Sequence, residues 1–263
     1  MNRLHIKGVI LEHLYHLRHS IEDLTDTFFW PTMDVIIWGF MTTYFVGLSG
    51  TLPTVITFLL GGLILWNVVW RAQQDVSIAL LRGAWNRNII NLFSSPLTPW
   101  EFIIGTIILG FIKIFLTLGV VVTLAWFLWS YNIFDLGFAL IPFFVNLILF
   151  AWSIGIIVTG LIVRFGMRIQ SLAWSLILIF HPLSCVFYPL DTLPSFLQKV
   201  AWYLPTAHVF EGMRQVLAEG SFPYSHLIWA GGLNIIYLSC ASILFYFLFE
   251  KARESGALAR LPE

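Results

Sequence analysis

Charge is what this chain has least of. Asp, Glu, Lys and Arg make up 11% of its 263 residues, against about 25% in a typical soluble protein. So few charges cannot solvate the surface of an ordinary globular domain of this length. Cysteine is nearly absent too: Cys185 and Cys240 both fall in apolar runs, so no disulfide framework can be inferred. No Gly-Lys dipeptide occurs, so a Walker loop cannot be matched and any ATP used must be hydrolysed by another chain. A Gly-x-Ser-x-Gly elbow, a His-Glu-x-x-His pair and a paired-cysteine motif are also missing, which leaves no catalytic candidate. The net charge of zero gives no reason to expect a nucleic-acid partner.

What is present is apolar sequence, 59% of the chain. Six runs are long enough to cross a hydrocarbon layer, which takes about 20 residues: Phe28–Leu48, Thr54–Trp70 with a helical continuation toward Leu81, Phe102–Trp129, Phe138–Val163, Ile169–Tyr188 and Leu227–Phe249. The expected fold is therefore an all-α integral membrane protein with six transmembrane helices. Residues 1–27 form an arm before it, 28–250 the membrane domain and 251–263 a tail. Eleven of the fourteen Lys and Arg residues lie on one side of this arrangement: Arg3, Lys7, Arg18, Arg71, Arg82, Arg87, Arg164, Arg168, Lys251, Arg253 and Arg260. The positive-inside rule assigns that side, and both termini, to the cytoplasm. Lys199 and Arg214 fall outside, and Lys113 lies within a span.

The first residues do not read as a signal peptide, because Glu12 and His13 break the apolar run Val9–Leu11 at once. Ile10, Leu14, Leu17, Ile21 and Leu24 form a narrow helical stripe, with Glu12, His16, His19, Glu22, Asp23 and Asp26 facing away. This predicts an amphipathic helix lying at the membrane surface; a soluble amphipathic helix would need a core to pack on. His13, His16 and His19 are three apart, but successive members rotate by about 60° round the helix. Polar-face histidines are the simpler reading, and no metal site is expected.

The one conspicuously polar stretch between spans is RGAWNRNIINLFSSPLTPWE, Arg82 to Glu101. Trp85, Ile89, Leu92 and Phe93 recur at helical spacing, while Asn86, Arg87, Asn88 and Asn91 occupy much of the remaining surface. Ser95-Pro96 stops this helix. Thr98 fits the N-cap of the next one, Pro99 its first position, and Glu101 can close a capping box. A second interrupted stretch runs from Tyr188 to Pro223, divided by Pro189, Pro194, Pro205 and Pro223. Pro194–Tyr203 and Pro205–Glu219 are each too short to cross a bilayer, and both carry apolar faces. They read as a re-entrant helical hairpin dipping into the outer leaflet, or as a surface hairpin on the outer headgroups.

Ionisable residues inside spans must be paired or wet. Asp34 has Trp30 and Trp38 at i±4 on the same face; it reads either as a first-turn acid or as a pathway lining. Lys113 reads as structurally partnered or as part of a transport route. His181, followed by Pro182, reads as a packing residue at a kink or as a pathway residue. Arg71 and Asp75, at i and i+4, are expected to pair near the inner rim. His208, Glu211 and Arg214 recur at i, i+3 and i+6 and read as a structural clasp or as a substrate contact. Among the twelve tryptophans, Trp38, Trp66, Trp152 and Trp174 lie deeper than an aromatic belt and read as core packing or as a pathway wall.

The WNRNIINLFSSPLTPWE connector resembles the inner coupling segment of ATP-binding-cassette exporters with type-2 permeases. PLSCVFYPLDTLPSFLQKVAWYLPTAHVFEGMR resembles that family's re-entrant outer segment, and FFWPTMDVIIWGF is similar to first spans of its drug-export and lipo-oligosaccharide branches. The resemblance implies a half-transporter that homodimerises in the cytoplasmic membrane and joins two copies of an ATPase, which would hold ATP and Mg. Neither would bind this chain itself. On this resemblance Trp85, Asn86, Arg87, Asn88, Asn91 and Leu92 would dock on the ATPase, and the arm Ile10–Leu24 would be the connecting helix that also touches it. Pro189, Pro205, His208, Glu211 and Arg214 would belong to the outer gate. Asp34, Trp38, Asn67, Trp174 and His181 are the expected translocation path. A mostly apolar, aromatic route favours amphipathic drug-like or lipid-linked cargo, with polysaccharide export as the alternative. A secondary transporter would need inverted repeats or discontinuous midplane helices, and a membrane enzyme would need a convergent nucleophile and base; neither is visible.

Overall fold

In a computed structural model the structure is described for residues 3–49, 53–85 and 98–255, and the described residues contain helices and no strand. The arm is α1 (Arg3–His19) and a short α2 (Ile21–Leu24), joined through a π turn at Thr25–Phe29 to α3 (Trp30–Ser49). Then follow α4 (Pro53–Trp85), α5 (Pro99–Trp129), α6 (Leu140–Phe165), α7 (Leu172–Leu183), α8 (Ser195–Trp202), α9 (Pro205–Glu219) and α10 (Tyr224–Glu254). Among the described residues three stretches are long and apolar enough to cross a membrane by length and composition: α5, the run Ile133–Ile169 that contains α6, and α10.

Helix α6 is the centre of the bundle, packed between α4 and α10. Ile148, Phe150, Ala151, Ile154, Ile156 and Val158 are all buried and point to different sides, so it is apolar nearly all round, as an interior helix must be. Small residues let the backbones approach. A Cβ on Gly155 would lie 3.1 Å from the Gln73 carbonyl oxygen of α4, the close packing that membrane helices use in place of a hydrophobic driving force. Polar ties supplement it: Thr159 Oγ1 donates to the Val76 carbonyl at 3.2 Å, and Asn234 Nδ2 donates to Asn146 Oδ1 at 2.9 Å.

Helix α4 has 33 residues and runs about 50 Å at the usual helical rise. Its second half is polar yet enclosed: Arg71, Gln73, Gln74, Asp75 and Ser77 are all buried among neighbouring helices. The start of α5 carries the expected cap. Thr98 accepts from the Glu101 N–H at 3.3 Å, Glu101 Oε2 accepts from the Thr98 N–H at 3.0 Å, and Pro99 stands at the first position. The same Glu101 oxygen lies 3.0 Å from His5 Nδ1, which ties the arm to α5.

The arm differs in part from its sequence pattern. Val9 is buried rather than Ile10, and Ile21 and Leu24 remain exposed on the protein's outside while Asp23 is buried. The break at Ser20 and the π turn rotate the second half, so one side packs on protein and the other stays apolar and open. The side chains of His13, His16, Leu17 and Glu22 lie outside the described ones.

The expected fifth span, Ile169–Tyr188, is not one helix. Helix α7 has 12 residues, about 18 Å, preceded by a 3-10 turn at Gly166–Ile169. Gly166 adopts φ 74° on one side, and Pro182 and Cys185 (φ 55°) bend the chain on the other. The following segment does hold two short helices, α8 with Pro194 at its N-cap and α9 with Pro205 at its first position.

Candidate functional site

Trp30, Asp34 and Trp38 are spaced four apart, so α3 presents them on one face, and α4 answers with Asn67 and Trp70 at i and i+3. Between these faces and α7 lie two adjoining cavities. The larger, of about 310 Å³, is lined by Asp26, Trp30, Pro31, Asp34, Asn67, Trp70, Arg71, Gln74 and Trp174. The smaller, of about 190 Å³, is bounded by Asp34, Trp38, Leu63, Trp66, Asn67, Trp70, Leu178, His181 and Phe187. Asp34, Asn67 and Trp70 face both. The five residues picked from sequence as a path, Asp34, Trp38, Asn67, Trp174 and His181, thus come together around one pair of cavities.

Each wall is held from behind. Trp38 stacks on Phe187 with centroids 5.1 Å apart, and Trp66 lies 4.4 Å from the His181 ring. Asn67 Nδ2 donates to the Leu63 carbonyl at 3.0 Å, which leaves its Oδ1 as an acceptor. Asp34 is exposed and makes no hydrogen bond or ion pair among the described residues. Trp152, the other deep tryptophan, packs against Phe111 away from these cavities.

Trp174 links the larger cavity to the far end of α4. Its ring stacks on Trp85 at 6.2 Å with 11° between planes, and Trp85 Nε1 lies 3.4 Å from Gln170 Oε1. Trp85, the first residue of WNRNIINLFSSPLTPWE, is the last one described before Thr98. Asn86, Arg87, Asn88, Asn91 and Leu92, the rest of the expected docking surface, lie outside the described residues, as do Arg82's side chain and Ser95-Pro96.

The buried charges pair differently from the expectation that Arg71 and Asp75 meet. Arg71 Nη1 donates to Asp26 Oδ2 at 2.7 Å, and its Nη2 to the Asp26 carbonyl in the π turn. Asp75 Oδ1 instead accepts from Lys113 Nζ of α5 at 3.0 Å, with both side chains almost completely buried. An i,i+4 pair along one helix contributes only about 0.2–0.5 kcal/mol. Leaving Lys113 buried without a partner would cost several times more, so the tertiary pairs win.

In the outer segment the clasp is also rearranged. Glu211 Oε1 accepts from Arg214 at 2.8 Å and from the Leu190 N–H at 2.6 Å. His208 leaves that pair and its Nε2 donates to the Trp202 carbonyl at 2.8 Å, joining α9 to α8. Burial, the main cause, holds His208 below its ordinary pKa of 6.5, so the ring is neutral at pH 7. Pro205 opens α9 and Pro189 precedes a 3-10 turn at Leu190–Thr192, both beside this cluster.

Sequence reasoning missed Trp70, Gln74 and Asp26 as cavity walls. The spacing Asn67, Trp70, Gln74 on α4 carried a signal for the first two; Asp26 carried none, because the π turn that aims it is a tertiary feature. Among the described residues no cluster of three metal-ligating side chains occurs. The family model described as ABC-2 type transporter matches residues 21–218. No curated protein matches the chain.

Proposed function

Since this chain belongs to the ABC-2 type transporter family, and is thus the membrane-spanning permease subunit of an ABC transporter, we propose that it exports an amphipathic, drug-like or lipid-linked cargo. Six spans would carry it through the cytoplasmic membrane with both termini inside. The permease acts with ATPase partners; two ATPase copies and a second copy of this chain complete the proposed machine. Hydrolysis takes place in those ATPases, and this chain contributes the route and the mechanical handle.

The observation that carries the reading is the position of Trp174. It walls the larger cavity and stacks on Trp85, at the threshold of the connector. A push delivered to that connector by ATP-driven closure of the ATPases reaches the cavity through one ring contact and the rigid length of α4. The cavity size supports a small amphipath over a polymer, since about 310 Å³ is at the low end of drug-sized sites.

The test is to replace Trp85 and Arg87 together by alanine and co-purify the partner ATPase. Membrane insertion stays intact and ATPase association or coupled turnover is lost. Unchanged association would sink the docking assignment.

A further inference from the structure

The paired cavities have a consistent sign. Trp30, Trp70 and Trp174 wall the larger one, and Trp38 and Trp66 the smaller one, with Trp70 reaching both. An indole face carries the negative end of the ring quadrupole and attracts cations above it. At the junction stand Asp34, whose carboxylate is exposed and uncommitted among the described residues, and Asn67, whose Oδ1 is free to accept. Arg71, the cation on the larger cavity's wall, is held by Asp26 through its two terminal nitrogens, so the two cancel. His181 of the smaller cavity is engaged against the Trp66 ring. What remains is one net negative charge among five indoles. That arrangement repels an anion and gives a neutral apolar molecule no use for Asp34.

We propose that the two cavities around Asp34 and Asn67 bind the cationic head of a lipophilic organic cation, a quaternary ammonium or phosphonium in chemical class. The head lies against Asp34 with the five tryptophans about it. The apolar body extends along Leu63, Leu178 and Phe187, which line the smaller cavity. This assignment rests on the reading of the cavities as the cargo site and narrows it to one charge class.

The test measures binding to the purified full chain in nanodiscs, with empty nanodiscs subtracted and no ATPase present. Radiolabelled tetraphenylphosphonium is the probe. Triphenylphosphine oxide, of similar shape but neutral, is the competitor. Saturable phosphonium binding that the oxide displaces poorly is expected. Asp34→Asn should weaken the phosphonium about tenfold, as the loss of one close opposite charge implies, and Asp34→Glu should restore most of the affinity. Absence of saturable binding, equal potency of the oxide, unchanged affinity in Asp34→Asn, or loss in both variants would each overturn the proposal. Because no ATPase takes part, failure here leaves the docking assignment of Trp85 and Arg87 standing. Failure of that assignment leaves the binding result standing.

Discussion

Trp85 and Trp174 stack nearly parallel, 11° apart, and so join the last described turn of α4 to a wall of the larger cavity. An aromatic pair of this kind contributes about 0.5–1.5 kcal/mol beyond its burial, enough to shift a two-state coupling by about two- to tenfold. Trp174→Ala is therefore expected to leave ATPase co-purification intact and to cut cargo-stimulated ATP hydrolysis several-fold. Trp174→Phe should keep most of it. The readout is ATPase rate in nanodiscs with and without cargo, and equal stimulation in the alanine variant would refute the link.

The ion pair of Lys113 with Asp75 sits where neither charge can be solvated. Removing one partner of a buried pair costs about 3–5 kcal/mol, while replacing both by apolar groups is often neutral. Lys113→Met alone should lower the thermal midpoint of the purified protein sharply. The double variant Lys113→Met with Asp75→Leu should recover much of the loss. A double variant no more stable than the single ones would show that the pair's contribution lies elsewhere.

At Gly62 of α4 the chain beyond α7 comes close. A Cβ there would stand 2.7 Å from the Val186 carbonyl oxygen, and backbone cannot swing aside as a side chain can. Gly62→Ala is expected to destabilise by about 1–3 kcal/mol through overpacking. Gly119→Ala, which meets nothing within 4 Å, is the control and should melt like the native chain.

The outer segment should weaken in mild acid. Burial first, with some contribution from His226, keeps His208 below 6.5, against the opposing pull of the Trp202 carbonyl and Glu211. The unfolded chain binds the proton more readily, so this contribution is constant above about pH 6.5 and stability falls as pH drops below it. The slope is at most about 1.4 kcal/mol per pH unit from one such group. Melting curves from pH 7.5 to 5.5 should show a decline that is smaller in His208→Gln; identical profiles would remove His208 as the cause.

Capping and proline positions were legible because they are set within a few residues. The Thr98–Glu101 box and the starts of α8 and α9 at Pro194 and Pro205 stand where spacing puts them. The path residues were legible in part for the same reason, since Trp30, Asp34 and Trp38 share a helical face by arithmetic alone. Charge pairing was not legible. Arg71 and Asp75 look like partners along one helix, yet each finds a stronger one across a helix interface. The interruptions of the fifth apolar run were not legible either, because apolar composition alone does not register the bends at Gly166 and Cys185.

Composition and local spacing by themselves determined that this protein is helical, that most of it prefers a medium other than water, and where individual helices begin. Folding in three dimensions decided which buried charges neutralise one another, how tryptophans from α3, α4 and α7 surround a single uncommitted carboxylate, and that one of them reaches the connector. The physical reason is range. Capping and amphipathicity act over a turn or two, whereas a buried charge takes whichever partner the packed backbone brings within about 3 Å.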